Sequence, residues 1–201
     1  FYRINHTGAN FYKMGFFQMI ANAIGWSKNG RVLVVGLDNS GKSTLIHHLK
    51  PDKARTLEVT PTVGFQVEQF SKNNINFTVY DMSGQSRYRS LWEHYYSDVE
   101  AIIFVLDSTD RLRMCVAKEE LDQLLSHEEI KRTKAPIVFF ANKRDVAGSM
   151  GPEECTEELG LDRIRDKPWS IWGSNALSGE GVSEGIEWMC NNINVSSSSK
   201  K

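Results

Sequence analysis

Gly36-Leu37-Asp38-Asn39-Ser40-Gly41-Lys42-Ser43 stands between an apolar, β-branched run, Arg31 to Leu37, and a segment from about Lys42 to Leu49 with helical spacing. The string matches G-x-x-x-x-G-K-S, the phosphate loop, in the strand–turn–helix setting that such a loop requires. Its glycines let backbone N–H groups wrap phosphate oxygens, and the helix N-terminus adds its positive end. Lys42 reaches the outer phosphates, and the Ser43 hydroxyl can ligate magnesium. The expected phosphate-binding stretch is Asp38, Asn39, Ser40, Gly41, Lys42, Ser43 and Thr44. The loop predicts a nucleotide without saying which.

Working outward, Phe65 to Phe70 and Ile75 to Asp81 read as two strands of a hairpin, joined by Ser-Lys-Asn-Asn. Further apolar runs lie at Ala101 to Asp107, Pro136 to Ala141 and Trp169 to Ser174. Helical patterns separate them at Met114 to Ser126, Pro152 to Leu159 and Gly181 to Asn192. The alternation predicts an α/β fold: a mostly parallel six-stranded sheet with helices on both faces and ligands at the carboxyl ends of its strands. Before the first strand, Phe16, Phe17, Met19, Ile20, Ala23, Ile24 and Trp26 recur at helical spacing on an uncharged segment, an expected amphipathic helix. The expected organisation is a leader, extension or disordered arm over 1–13, the N-terminal helix within 14–28, the nucleotide domain over 29–194, and a disordered serine-rich tail over 195–201.

Asn142-Lys143-Arg144-Asp145 follows the fifth apolar run, so its side chains emerge at the carboxyl edge beside the phosphate loop. A carboxylate at Asp145 can accept from the guanine ring N–H and its exocyclic amine, whereas adenine would leave the acid unpaired. Ser174-Asn175-Ala176, after the last strand, is expected to offer the Ala176 N–H to the guanine carbonyl. Asp81-Met82-Ser83-Gly84-Gln85 closes the second hairpin strand. It puts Asp81 near Ser43 as a magnesium partner through water, the Gly84 N–H near the terminal phosphate, and Gln85 where it orients an attacking water. Upstream, Thr62 of Pro61-Thr62-Val63-Gly64 reaches magnesium only while a third phosphate holds its loop closed, which makes the site a switch. GTPases that carry their own catalytic arginine place it three residues before that threonine, where this chain has Val59, and Arg55 lies further off. Slow intrinsic hydrolysis, with arginine donated by a partner, is the expectation.

The totals constrain partners. The 201 residues are 40% apolar and 24% charged, ordinary for one folded domain, and the formal charge of −1 gives no general attraction to nucleic acid or anionic lipid. No stretch reaches the roughly 20 apolar residues of a spanning helix. The odd count of three cysteines, Cys115, Cys155 and Cys190, argues against a disulfide framework and for a reducing cytosol. Cys115 and Cys190 read as small apolar fillers on helices.

From Gly15 to Ile193 the string resembles the Arf and Arf-like GTPases. The resemblance rests on Gly36-Leu37-Asp38, Pro61-Thr62-Val63-Gly64-Phe65, Gly84-Gln85 followed by Arg89-x-Leu91-Trp92-x-His94-Tyr95-Tyr96, and Asp107-Ser108-x-Asp110-Arg111. Asp81-Met82-Ser83-Gly84-Gln85 with Arg87-Tyr88-Arg89, Leu91 to Tyr96, Asp110-Arg111-Leu112-Arg113-Met114 and Lys167-Pro168-Trp169 resemble the Bardet-Biedl, ciliary branch of that family. The resemblance implies a monomeric switch that binds GTP or GDP with Mg2+ and is served by an exchange factor and a GTPase-activating protein. With GTP bound, the hairpin between the switch loops slides and evicts the N-terminal helix onto a membrane surface. The protein then recruits an effector coat, the BBSome, from the cytoplasm to the cilium base or ciliary membrane. Golgi or endosomal traffic is the alternative address. Phe65, Trp92 and Tyr95 would form an apolar patch read by partners, although Trp92 fits the core equally well. Ser83 and Ser43 replace the glycine and threonine usual in the family, and Asp38 is usual for it. Met19 stands where acylation expects Ser or Thr, so no acylation is expected. A nucleotide-holding scaffold without turnover is the competing class, and retention of Gln85 and Thr62 counts against it.

Overall fold

The computed structural model describes residues 28–50, 60–72 and 75–193. The expected leader, the amphipathic helix from Gly15 to Trp26, Arg55, Val59 and the tail over 195–201 lie outside the described residues. Six strands, β1 (Lys28–Val35), β2 (Phe65–Lys72), β3 (Ile75–Met82), β4 (Ala101–Asp107), β5 (Ile137–Asn142) and β6 (Trp169–Gly173), form one sheet in the order β2-β3-β1-β4-β5-β6. Only β2 runs antiparallel to its neighbour, at the edge, as the short β2–β3 connection requires. The expected α/β fold with a six-stranded, mostly parallel sheet is therefore the observed one.

Alternation along the strands sorts side chains into two cores. Leu33 and Val35 of β1, Ile102, Phe104 and Leu106 of β4, and Ile137 and Phe139 of β5 face one side. There they meet α2 (Met114–Ser126) through Ala117, Leu121 and Leu124, α3 (Glu128–Arg132) through Ile130, and α4 (Pro152–Leu159) through Cys155 and Leu159. Val32, Val34, Ile103, Val105, Val138 and Phe140 face the other side. They pack on α1 (Lys42–Leu49) through Leu45 and Ile46 and on α5 (Val182–Asn192) through Val182, Ile186 and Met189. Central strands buried on both faces explain why these runs read as continuously apolar.

The structure departs from sequence expectation at several points. Asn29-Gly30, a dipeptide that favours turns, lies within β1, because pairing of Lys28 to Val34 with Ile75 to Asp81 holds it extended. α3 is five residues, too short to show a period, and Ser86–Asp98 winds as 3-10 turns whose tighter spacing hides from a 3.6-residue pattern. Trp92 is 2% exposed and belongs to the core, not to a surface patch. Cys115, expected as a filler, is exposed, whereas Cys155 is buried.

Candidate functional site

β1 lies between β3 and β4, with connections leaving to opposite sides of it, so its carboxyl end is the crevice where open α/β sheets bind ligands. The chain turns there into α1. Gly41 caps that helix at φ 95°, and a Cβ at this position would lie 2.3 Å from Asn142 Nδ2. Only glycine meets both demands. Lys42 is buried, and its Nζ donates to the carbonyls of Gly36 (3.0 Å) and Leu37 (2.7 Å). Burial pulls its pKa down to about 8, against the attraction of Asp81 and Asp38. Asn39 adopts φ 62°, a bend that turns the loop back towards α1, and Ser40 is buried.

Beside the loop, oxygens from three elements converge. Ser43 Oγ donates to Asp81 Oδ2 at 2.6 Å and lies 2.9 Å from Thr62 Oγ1, which itself stands 3.3 Å from Asp81 Oδ2. Asp81 Oδ1 is buried with no hydrogen-bond partner. Burial raises the Asp81 pKa, opposed by Ser43, Lys42 and Thr62. An orphaned carboxylate oxygen flanked by two hydroxyls is a hard, all-oxygen donor set, and it fits magnesium, which takes one or two carboxylates together with substrate phosphates. Among the described residues there is no competing cluster of three His, Cys, Asp or Glu. Thr44, one residue further into α1, is half-buried at the same helix start.

The far wall comes from β5 and β6. Asn142 is buried and acts as a brace: its Nδ2 donates to Ser40 O (2.8 Å), and its Oδ1 accepts from Ala176 N (2.9 Å) and Ser174 Oγ (3.3 Å). One side chain thus locks the phosphate loop to the loop after β6. The Ala176 N–H, which sequence assigns to a guanine carbonyl, here donates to Asn142 Oδ1. Asn175 accepts from Leu177 N (3.0 Å) and Ser178 N (3.4 Å) with its own side chain, which shapes its turn. Lys143 sits at φ 68° with Nζ 2.6 Å from Asp107 Oδ2, which stretches its stem along the crevice rim. Burial pushes the Asp107 carboxyl up, but bonds from Lys143 and Thr109 prevail and hold it below the ordinary value. Asp145 is exposed at the mouth, where its carboxylate is available to a ligand.

After β3, Gly84 packs directly on the phosphate loop, since a Cβ there would lie 2.2 Å from both Leu37 C and Asp38 N. Trp92 Nε1 donates to Ser83 O at 3.1 Å, anchoring this turn in the core. Gln85 lies at the edge, its Oε1 accepting from Arg87 Nε (3.1 Å) and Nη2 (3.0 Å). Two arginines went unassigned in the sequence. Arg89 donates from Nε to Gly84 O (2.8 Å) and from Nη1 to Glu120 (2.8 Å), with Asp38 3.7 Å away. Arg113 bonds Asp110 (2.6 Å) and Asp38 (3.2 Å). Together they draw the Asp38 carboxylate towards α2, out of the crevice. The Arg89 and Asp110-Arg111 strings were visible as family signatures, but nothing in them says that Asp38 is their common partner.

A phosphate loop at the switch point, an oxygen cradle for a hard cation and an acid at the base end define a guanine-nucleotide-binding P-loop protein. The chain belongs to the ADP-ribosylation factor family, whose sequence model matches residues 16–193. It is 50% identical to ADP-ribosylation factor-like protein 6 of Danio rerio over 181 residues, 90% of this chain and 97% of that one. Against the protein of the same name in Caenorhabditis elegans it is 42% identical over 175 residues, 87% and 92% of the two chains. Among solved structures it superposes at TM-score 0.77 and 44% identity on the Arl6 BBS3 small GTPase of Trypanosoma brucei, solved with the bound nucleotide analogue GppNp, covering 81% of this chain and 96% of that one. The protein is thus an Arf-like small GTPase that binds GTP and GDP and hydrolyses GTP.

Proposed function

We propose that this GTPase is a membrane-recruiting switch which, with GTP bound, gathers a BBSome-like coat for ciliary traffic. The observation that carries the switch reading is the union of both loops with the site: Thr62 within 2.9 Å of Ser43, and Gly84 packed on the phosphate loop. Loops held this way respond to whether a third phosphate is there to be held. The ciliary reading is supported by the likeness to proteins named ADP-ribosylation factor-like protein 6 and Arl6 BBS3.

In this reading Asp145 accepts the guanine N–H groups, Lys143 lays its stem along the base, and Ser174 acts through Asn142. The phosphate-loop N–H groups and Lys42 neutralise the phosphates. Ser43 and Thr62 would ligate magnesium, with Asp81 supporting it through water, and the ion would neutralise charge developing on the phosphates. Gln85 orients the attacking water, and the Gly84 N–H bonds the terminal phosphate. Val63, Phe65 and Val67, exposed at 68%, 43% and 49%, border both loops, and Phe65 stacks on Tyr95 at 5.2 Å between ring centroids. This apolar strip is the surface that a GTP-dependent effector reads, with Tyr95 in the place that sequence reading had shared with Trp92. The segment from Gly15 to Trp26 supplies the membrane contact, an exchange factor loads GTP, and an activating protein lends arginine where Val59 has none. The working location is the cytoplasmic face of the membrane at the cilium base.

The test is capture of purified BBSome on liposomes by the full chain loaded with a non-hydrolysable GTP analogue or with GDP. Retention with the analogue alone is expected. Equal retention in both states would overturn the switch, and failure to retain the BBSome while a Golgi or endosomal coat binds would move the address.

A further inference from the structure

Gln85 is fastened at its working atom. A side-chain amide oxygen has two lone pairs, and both are taken by one guanidinium, from Arg87 Nε at 3.1 Å and Nη2 at 3.0 Å. The guanidinium has its own seat, lying 4.8 Å from the centroid of the half-buried Tyr88 ring. A cation over an aromatic face is held electrostatically, so Arg87 is not a freely waving surface chain. Among the described residues no carboxylate bonds it, unlike Arg89, paired with Glu120 and Asp38, or Arg113, paired with Asp110 and Asp38. Two of its five N–H donors go to the glutamine.

We infer that Arg87 is a latch on Gln85, a positioning residue that suppresses intrinsic GTP hydrolysis by occupying the amide oxygen that must accept from the attacking water. The inference rests on the role of Gln85 given above. Orienting a water requires a free lone pair on Oε1, and in the latched arrangement neither is free. The residue that makes the protein a hydrolase is thereby held out of action by a neighbour two positions along, independently of any arginine missing at Val59. Release comes when Arg87 is drawn to a better acceptor, and a carboxylate on a partner docking at this turn is the chemistry that competes with a neutral amide for a guanidinium.

Single-turnover GTP hydrolysis by the full chain, without any activating protein, tests the latch in four variants. Arg87→Ala should raise the rate about fivefold, the scale of one exposed charged hydrogen bond, and Tyr88→Ala, which removes the seat, should raise it less. Gln85→Leu should abolish most turnover, and Arg87→Ala added to Gln85→Leu should change nothing further. That dependence on Gln85 is a readout which general loosening of the turn would not give. Release of a fluorescent GDP should be unchanged in Arg87→Ala. An unchanged or slower rate in Arg87→Ala, with Gln85→Leu still impaired, overturns the latch and leaves Gln85 catalytic. A normal rate in Gln85→Leu instead overturns the role of Gln85.

Discussion

Replacing Asn142 with alanine separates a brace from a base reader. The side chain bonds Ser40 O, Ala176 N and Ser174 Oγ at 2.8, 2.9 and 3.3 Å. Ser40, Ser174 and Ala176 are 1%, 1% and 4% exposed. Truncation leaves one main-chain carbonyl and one main-chain N–H buried and unpaired, at about 1–3 kcal/mol each, while the serine hydroxyl can rotate to another partner. A total loss of about 3 kcal/mol follows once local relaxation is allowed for. With a urea m-value of about 2 kcal/mol/M for a domain of this size, the midpoint should fall by about 1.5 M. Freed from its tie, the phosphate loop should also release nucleotide about tenfold faster, as 1.4 kcal/mol of that loss would give. The assay is urea unfolding followed by tryptophan fluorescence, first with nucleotide removed and then with excess GDP, together with release of a fluorescent GDP. Asn142→Asp should do as much harm as alanine, because it keeps the acceptor for Ala176 but sets a carboxylate against Ser40 O. An unshifted midpoint without nucleotide, alongside faster release, would refute the brace and make Asn142 a direct ligand of the base.

Other expectations follow from the same geometry. Gly84→Ala drives a methyl to within 2.2 Å of Leu37 C and Asp38 N, backbone atoms that cannot swing aside. It should lower affinity for a GTP analogue at least about tenfold, the loss of one charge-assisted bond, with a much smaller effect on GDP; equal losses by calorimetry would count against a role at the third phosphate. Because the Lys42 pKa lies at about 8 instead of 10.5, nucleotide affinity should be flat below pH 8 and fall above it, where the neutral amine of the free protein must regain a proton on binding. The same depression has the opposite sign for folding: between pH 8 and 10.5 the unfolded chain binds more protons, so the nucleotide-free protein should gain stability as pH rises through that window. Trp92→Phe keeps most of the buried ring but strands Ser83 O, and should cost about 2 kcal/mol in chemical denaturation. Full stability in that variant would mean that the indole bond contributes nothing.

The central strands announced themselves because β4 and β5 are paired on both sides and covered on both faces, which leaves runs such as Ala101–Asp107 with little room for polar residues. α2 and α4 carried period and length enough to be placed at their observed bounds. The 3-10 stretch and α3 escaped, the first because its turn is tighter than the helical period, the second because five residues hold barely more than one turn. Trp92 could not be assigned to core or surface from sequence because its neighbours, Glu93 and His94, are exposed while it turns inward to Ser83.

The identity and order of the site's chemical groups were determined by sequence alone: Lys42 and Ser43 after Gly41, Thr62 before the hairpin, Asp81, Gly84 and Gln85 after it, and Asp145 after β5. Each belongs to a short motif whose chemistry is local, so neighbours in the chain suffice to recognise it. Which atoms those groups hold in one another was left to the tertiary structure. Asn142 ties Ser40 to Ala176 across 102 and 34 positions, and Arg113 takes Asp38 across 75. Hydrogen bonds spanning such separations depend on where the sheet order delivers the strand ends, and no local pattern records that. Even the Arg87–Gln85 bond, two residues long, depends on a rotamer set by the Tyr88 ring and the turn that carries it.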